Sequence, residues 1–184
     1  MIKIGVLLSG TGRTLVNLLE HIEAGTLDIK IACVLSDREN VLGLKHAEDA
    51  GIQTFVEPDS QRSFEALRAH QVDLVCLCGY LSLLEIPADF HNRVLNIHPS
   101  LLPKYGGHGF YGHHVHEAVL AAGEVESGCT VHYCNDEYDR GDILLQKSVL
   151  VKPGDDAKRL AARIFHAECA AYPEAIRLWM QQHP

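Results

Sequence analysis

Long apolar runs are missing from this 184-residue sequence, and none approaches the roughly 20 residues that a membrane-spanning helix needs. The N-terminus, Met1–Leu8, is typical of a first core strand and lacks the cleavage site of a signal peptide, so we expect a cytoplasmic location. Basic residues are also scarce: 16 Lys and Arg stand against 24 Asp and Glu, for a formal net charge of −8. Because nucleic-acid backbones select basic surfaces, we expect neither a nucleic acid nor a membrane as partner.

Paired metal-binding and disulfide motifs are missing as well. The six cysteines form no Cys-x-x-Cys pair, and they lie scattered in apolar segments, which predicts buried free thiols. The 12 histidines raise the question of a metal site, but His-Glu-x-x-His does not occur. A metal needs three or four converging ligands, so we expect no metal and interpret one cluster of histidines as surface and loop residues. The cluster comprises His108, His113, His114, His116 and His132.

Apolar runs alternate with amphipathic segments through the first hundred residues. Predicted strands cover residues 2–9, 29–36, 54–56, 74–77 and 94–98. Near-continuous apolar strands that alternate with helices indicate an α/β fold, with a mostly parallel sheet and helices on both faces. The sequence shows no internal repeat and no linker, so we predict one domain.

The pattern changes after Pro103. A glycine-rich loop, a short helix, two strands around a turn and a long helix are predicted at 104–112, 113–122, 129–134, 143–151 and 156–182. We expect the long helix to be interrupted near Pro173, because proline has no N–H to donate to the helical ladder.

A glycine-containing loop, Ser9–Thr14, joins the first predicted strand to the first helix. The free N–H groups and the positive dipole end of a helix N-terminus favour an anion, and Arg13 adds a cation. A dinucleotide fingerprint needs a third glycine where Leu15 stands, although Asp37 after the second strand could hold a ribose. A phosphate monoester, a dinucleotide and a purely structural turn all remain compatible with this loop.

Two polar side chains stand two residues apart in the predicted strand 94–98. Asn96 and His98 therefore point to the same side, and Pro99 places both near the C-terminal end of the strand, where open α/β sheets bind ligands. An amide donor beside an imidazole predicts an active site; a structural histidine is the alternative. The acidic turn Asp136–Asp142 could supply a carboxylate that raises the pKa of His98, but spacing does not identify which acid.

The stretches Asn-Ile-His-Pro-Ser-Leu-Leu-Pro, at 96–103, and Asp-x-Gly-x-Ile-x-x-Gln, at 139–146, resemble the folate-dependent formyltransferases. The likeness extends from Ser9 to Pro173. It implies a single-domain, Rossmann-like formyltransferase fold over residues 1–184. Within it, a phosphate-binding half at about 1–100 precedes a folate-side half at about 101–184 that holds the C-terminal helix.

The resemblance also implies a reaction. In the most similar branch, the formyl group of the co-substrate 10-formyltetrahydrofolate passes to the amine of 5-phosphoribosylglycinamide, in purine synthesis. Formylation of an amino-sugar nucleotide and hydrolysis of formyltetrahydrofolate are the alternatives within the family. The expected partners are small molecules, for a monomer or homodimer. A nucleotide-binding dehydrogenase and a non-catalytic binding protein are the rivals from other classes.

Site residues follow from the resemblance position by position. The implied catalytic residues are Asn96, His98 and Asp139. The implied ribonucleotide-binding residues are Gly12, Arg13, Thr14, Pro99 and Glu168. The implied folate-binding residues are Leu81, Ser82, Leu83, Leu84, Asn96, Ile97 and Asp139. The chain departs from well-known members at Gly12-Arg13-Thr14, which replaces Gly-Ser-Asn, at Ser82, which replaces an arginine, and in a longer loop from Gly106 to His114.

Overall fold

The structure, a computed structural model, describes residues 1–183, which form seven strands and five α-helices. Strands β1–β7 span Ile2–Leu8, Ile29–Ser36, Thr54–Val56, Leu74–Leu77, Val94–His98, Glu126–Tyr133 and Ile143–Leu150. Helices α1–α5 span Arg13–Glu23, Leu42–Asp49, Ser60–Ala69, His113–Ala121 and Ala157–Gln182, and a 3-10 turn covers Ala88–Phe90. The strand order is β3-β2-β1-β4-β5-β6-β7, which confirms the predicted α/β fold with a mostly parallel sheet. The chain falls into two compact units, Met1–Asn96 and Ile97 onward; the predicted single domain and its halves stay predictions.

The first unit is a parallel sheet crossed by α1, α2 and α3. Strand β1 pairs with β2 on one side and with β4 on the other, so the strand order reverses beside β1. Strands β1 and β4 are buried on both faces, as a covered parallel sheet requires. The reversal creates the kind of crevice where open α/β sheets bind ligands, at the ends of β1 and β4.

The start of helix α3 at Ser60 has a local cause. Asp59 is the reason, because its side chain accepts a hydrogen bond from the backbone N–H of Arg62 at 2.9 Å. Such a cap satisfies one of the donors that a helix N-terminus leaves without an intrahelical partner.

The second unit contains the antiparallel pair β6–β7, with α4 and α5. Helix α5 begins at its cap Asp156, whose side chain accepts from the backbone N–H of Arg159 at 2.7 Å. The buried face of α5 includes Leu160, Ile164, Ala171, Tyr172, Ala175, Ile176 and Trp179. This face packs over β6 and β7 and carries much of the core of the unit.

Helix α5 runs through Pro173 without a break, so the predicted interruption is wrong. A proline inside a helix removes one hydrogen bond and costs about 3 kcal/mol. Large side chains on both sides of it are buried, among them Ile164, Tyr172, Ile176 and Trp179, and each contributes about 1.5–3 kcal/mol by burial. Packing on both sides of the proline therefore outweighs the missing bond.

The expectations from composition have mixed outcomes. None of the six cysteines forms a disulfide, as predicted, but only four are buried, while Cys134 and Cys169 are partly exposed. Within residues 1–183, no helix is long and apolar enough to cross a membrane.

Candidate active site

Strand β5 carries Asn96 and His98 at its C-terminal end, and Pro99 follows directly. The imidazole of His98 is 4% exposed, and both of its nitrogens face oxygen atoms. Nδ1 lies 3.3 Å from Oδ2 of Asp139, and Nε2 lies 2.8 Å from the carbonyl oxygen of Tyr105. The structure thus brings His98 and Asp139 together and identifies the acid of the turn that reaches the imidazole.

Burial and charge act on His98 in opposite directions. A carbonyl oxygen can only accept, so the Nε2 that faces Tyr105 carries a hydrogen, and Nδ1 faces a carboxylate that favours the imidazolium. Burial is nevertheless the largest effect, and the pKa of His98 falls below its ordinary 6.5 although Asp139 raises it. The expected effect of the carboxylate is present, but the loss of water around the ring, which that expectation did not count, is larger and gives a net decrease.

The carboxylate of Asp139 is held from several sides. The backbone N–H of Gly107 donates to Oδ2 at 2.9 Å, and Nε2 of His132 lies 3.5 Å from Oδ1. Burial by itself would raise the pKa of Asp139, but the hydrogen bond from His132, the charge of His98 and the N–H of Gly107 outweigh it and lower that pKa. Asp139 is therefore ionised at neutral pH and can stabilise a protonated imidazole.

His132 is the site residue that sequence reasoning missed. It is 2% exposed, and His116 is 5% exposed, so the interpretation of the histidine cluster as surface and loop residues is wrong for both. For His132 the sequence carried a usable signal: Thr130 and His132 stand two apart in β6, as Asn96 and His98 do in β5. Across the described residues 1–183, no three His, Cys, Asp or Glu side chains are arranged to hold a metal ion.

Gly106 leaves room for the Asp139 side chain. A Cβ at this position would collide with the side chain of Leu102 and would lie 3.1 Å from Cβ of Asp139. We expect Gly106→Ala to destabilise the protein by about 1–3 kcal/mol, since overpacking forces its neighbours to move. Thermal unfolding measures the change. Gly10→Ala is the control, because nothing lies within 4 Å of its added Cβ; equal melting temperatures for the two variants would contradict the expectation.

The loop before α1 has the geometry of an anion site. Gly12 adopts a left-handed φ of 72°, and its carbonyl oxygen accepts from the N–H of Val16 at 2.9 Å. A Cβ on Gly12 would lie 2.5 Å from Cα of Gly43, so two backbones meet here. Arg13 and Thr14 open the helix, whose first turn contains no acidic residue and whose Gly12 cap offers no side-chain acceptor. The first N–H groups of α1 therefore suit an anion.

Asp37, the acid that could have held a ribose, is already engaged. Its side chain is 5% exposed and accepts two hydrogen bonds from Arg38, at 3.1 and 2.9 Å, and one from the hydroxyl of Ser82, at 2.8 Å. The dinucleotide alternative needs this carboxylate for a ligand. These contacts favour the smaller anion, a phosphate monoester.

The other predicted site residues lie in three places. Leu81–Leu84 follow β4, with Leu81 and Leu83 exposed and Leu84 buried. Ile97 is buried in β5. Glu168 lies on α5 beside Cys129 of β6, where burial and the charge of Glu168 raise the pKa of the thiol to about 12.

The fold and the site define an α/β protein with a largely buried His–Asp pair next to the end of a parallel strand. The chain belongs to the formyl transferase family, whose sequence pattern matches residues 2–176.

Individual relatives share this family. The phosphoribosylglycinamide formyltransferase of Haemophilus influenzae is 36% identical over 188 residues, covering 96% of this chain and 86% of the relative. The trifunctional purine biosynthetic protein adenosine-3 of Drosophila pseudoobscura pseudoobscura is 38% identical over 189 residues, covering 96% of this chain; the chain spans only 14% of that protein. The crystal structure of glycinamide ribonucleotide transformylase 1 from Symbiobacterium toebii superposes with a TM-score of 0.90 at 39% identity, covering 99% of this chain and 89% of that one.

Proposed function

We propose that the chain transfers the formyl group of 10-formyltetrahydrofolate to the amine of 5-phosphoribosylglycinamide, in purine biosynthesis. The observation that carries the proposal is the His98–Asp139 pair at the end of β5, with Asn96 on the same strand, in a member of the formyl transferase family. The names of the relatives support the choice of acceptor.

The chemistry needs a stabilised oxyanion. The amine attacks the formyl carbon, a C–N bond forms, and negative charge develops on the formyl oxygen. The Asn96 amide donates a hydrogen bond to that oxygen, and the positive charge of the protonated His98 ring, whose two N–H groups face Asp139 and Tyr105, stabilises it electrostatically. Removal of one such donor typically lowers the rate by about 10²–10³-fold.

Proton transfer completes the reaction. The attacking amine loses one proton, and the folate nitrogen gains one as its bond to the formyl carbon breaks, so no proton is consumed overall. Asp139 holds His98 in its charged, oriented form while the oxyanion develops and assists the transfer of the amine proton. The negative oxyanion itself favours the imidazolium, which offsets the low pKa that burial gives His98.

Substrate binding is divided among the remaining residues. Gly12, Arg13 and Thr14 bind the phosphate of the ribonucleotide at the N-terminus of α1. Glu168 accepts hydrogen bonds from ribose hydroxyls. The backbone of Leu81–Leu84 binds the pterin ring.

Arg13→Ala should raise the Michaelis constant for the ribonucleotide and spare that for the folate. The loss of a charged donor to a phosphate is worth about 1.5–3 kcal/mol, which is about 10- to 100-fold. Steady-state kinetics with each substrate varied in turn measures both constants. Arg62→Ala is the control, because Arg62 is an exposed arginine in the first turn of another helix of the same unit. Equal increases in both Michaelis constants would argue against a phosphate contact.

The deciding experiment compares acceptors. Formation of tetrahydrofolate from 10-formyltetrahydrofolate is followed with 5-phosphoribosylglycinamide, with an amino-sugar nucleotide, or with water alone. Turnover with 5-phosphoribosylglycinamide only is the expected result. Turnover with water, or with the amino-sugar nucleotide, would replace the proposal by another activity of the family.

A further inference from the structure

The segment Leu81–Leu84 alternates in exposure. It follows β4 without regular secondary structure. Leu81 and Leu83 are 43% and 44% exposed, whereas Ser82 between them turns its hydroxyl toward Asp37. The segment therefore displays two apolar side chains outward and is fastened through the polar residue between them.

Two contacts fasten this segment to the strand ends of the first unit. The N–H of Leu81 donates to Oγ of Ser9 at 2.9 Å, and the hydroxyl of Ser82 donates to Oδ2 of Asp37 at 2.8 Å. The Ser9 hydroxyl also lies close enough to the carboxylate of Asp37 to help lower its pKa. Asp37 thus connects the ends of β1 and β2 to the segment that follows β4. We call the set Ser9, Asp37, Arg38 and Ser82 the Asp37 clamp.

In the clamp, hydrogen-bond donors surround a single acceptor, the carboxylate of Asp37. Arg38 adds the two guanidinium hydrogen bonds described above, so the carboxylate accepts from Arg38 and Ser82 and has the Ser9 hydroxyl nearby. Burial would raise the pKa of Asp37, but these donors outweigh it and lower that pKa. An ionised Asp37 is therefore the form that fits, since a carboxylate accepts from all sides and donates to none.

We propose that Asp37 is a positioning residue for the folate: through Ser9 and Ser82 it fixes the Leu81–Leu84 segment in the shape that receives the pterin ring. The inference rests on the proposed function. Exposed leucines suit the apolar face of a flat ring, and a segment ordered in advance loses less entropy when the ligand binds. Ser82 supplies the side-chain contact that connects the segment to Asp37.

The test compares variants that break the clamp with variants that keep it. Asp37→Asn keeps the shape but turns an amide N–H₂ toward the donors of Ser9 or Arg38. Ser82→Ala removes a single hydroxyl, and Ser82→Thr restores one. Asp89→Asn is the matched control, because Asp89 accepts a similar bidentate pair of hydrogen bonds from Arg68, at 2.8 and 2.9 Å, elsewhere in the unit.

Calorimetric titration with tetrahydrofolate, and Michaelis constants for both substrates, measure the effect. We expect Asp37→Asn and Ser82→Ala to weaken tetrahydrofolate binding about tenfold. Both should raise the Michaelis constant for 10-formyltetrahydrofolate by a similar factor. The constant for 5-phosphoribosylglycinamide stays within about twofold, Ser82→Thr recovers most of the tetrahydrofolate affinity that Ser82→Ala loses, and Asp89→Asn behaves as the wild type. Hydrogen exchange of the Leu81 amide should become faster in Ser82→Ala, because Ser9 then holds a less ordered segment.

Three results would overturn the inference. Unchanged tetrahydrofolate affinity in Ser82→Ala shows that the clamp does not position the segment. Equal losses of affinity for both substrates would show that the clamp supports the fold as a whole and not the folate site. If the wild type neither binds tetrahydrofolate nor transfers a formyl group, the proposed function itself fails, which is distinct from a failure confined to the variants. Should Asp37→Asn fail to fold, Ser82→Ala decides alone.

Discussion

Asp139→Asn should lower the turnover of formyl transfer by about 10²–10³-fold. The variant keeps the side-chain shape, and asparagine tolerates the left-handed φ of 55° at this position. Its amide still accepts from the N–H of Gly107. What it loses is the charge that stabilises the protonated ring of His98. A loss of turnover in a folded protein therefore reports on the chemistry and not on the architecture.

The pH dependence of the same variant gives a second measurement. Asp139 raises the pKa of His98 against the effect of burial, so its neutralisation lowers that pKa further. The protonated ring is the active form, and the limb of the pH–rate profile that reports its deprotonation moves to lower pH. Asp136→Asn is the control, because Asp136 is an exposed acid of the same turn. An unchanged rate and profile in Asp139→Asn would exclude the role of Asp139 as the partner of His98.

His116 should make the protein acid-sensitive. Burial, helped by the nearby charges of His113 and His98, lowers the pKa of His116 from 6.5 to about 4. Between these two values the unfolded chain binds a proton that the folded chain does not, so stability falls as pH falls. The expected loss between pH 6.5 and pH 4 is about 3 kcal/mol.

His116→Leu should remove this sensitivity. Nδ1 of His116 has no hydrogen-bond partner in the part of the chain that the structure describes, so an apolar side chain of similar size leaves no polar atom stranded. The free energy of urea unfolding, measured at pH 7 and at pH 4.5, gives the difference between variant and wild type. His114→Leu, on the exposed side of the same helix, is the control. The prediction fails if wild type and His116→Leu lose equal stability on acidification.

The sequence was sufficient where local pattern determines the structure. Four of the five early strands occupy the predicted residues, because a strand buried on both faces is an apolar run between turn residues. The same logic placed Asn96 and His98 at the end of β5. Here alternation along a strand and the break at Pro99 are both local rules.

Contacts between distant segments could not be predicted in this way. Spacing did not single out Asp139 among the acids of its turn, because the choice depends on a left-handed backbone and on the N–H of Gly107, 32 residues away. The burial of His116 and His132 depends on which elements pack over them. The unbroken α5 likewise depends on tertiary packing, which outweighed the local preference of Pro173.

The contact between Gly12 and Gly43 has a consequence for engineering. The shape of the anion loop is imposed by the start of α2, more than thirty residues away, where the N–H of Gly43 donates to the carbonyl oxygen of Gly10 at 3.0 Å. Residues 13 and 14 are therefore the positions to substitute when anion selectivity is to be changed. A single methyl group added at position 43 would instead change the conformation of the loop. A library aimed at new acceptors should diversify the first pair and keep both glycines fixed.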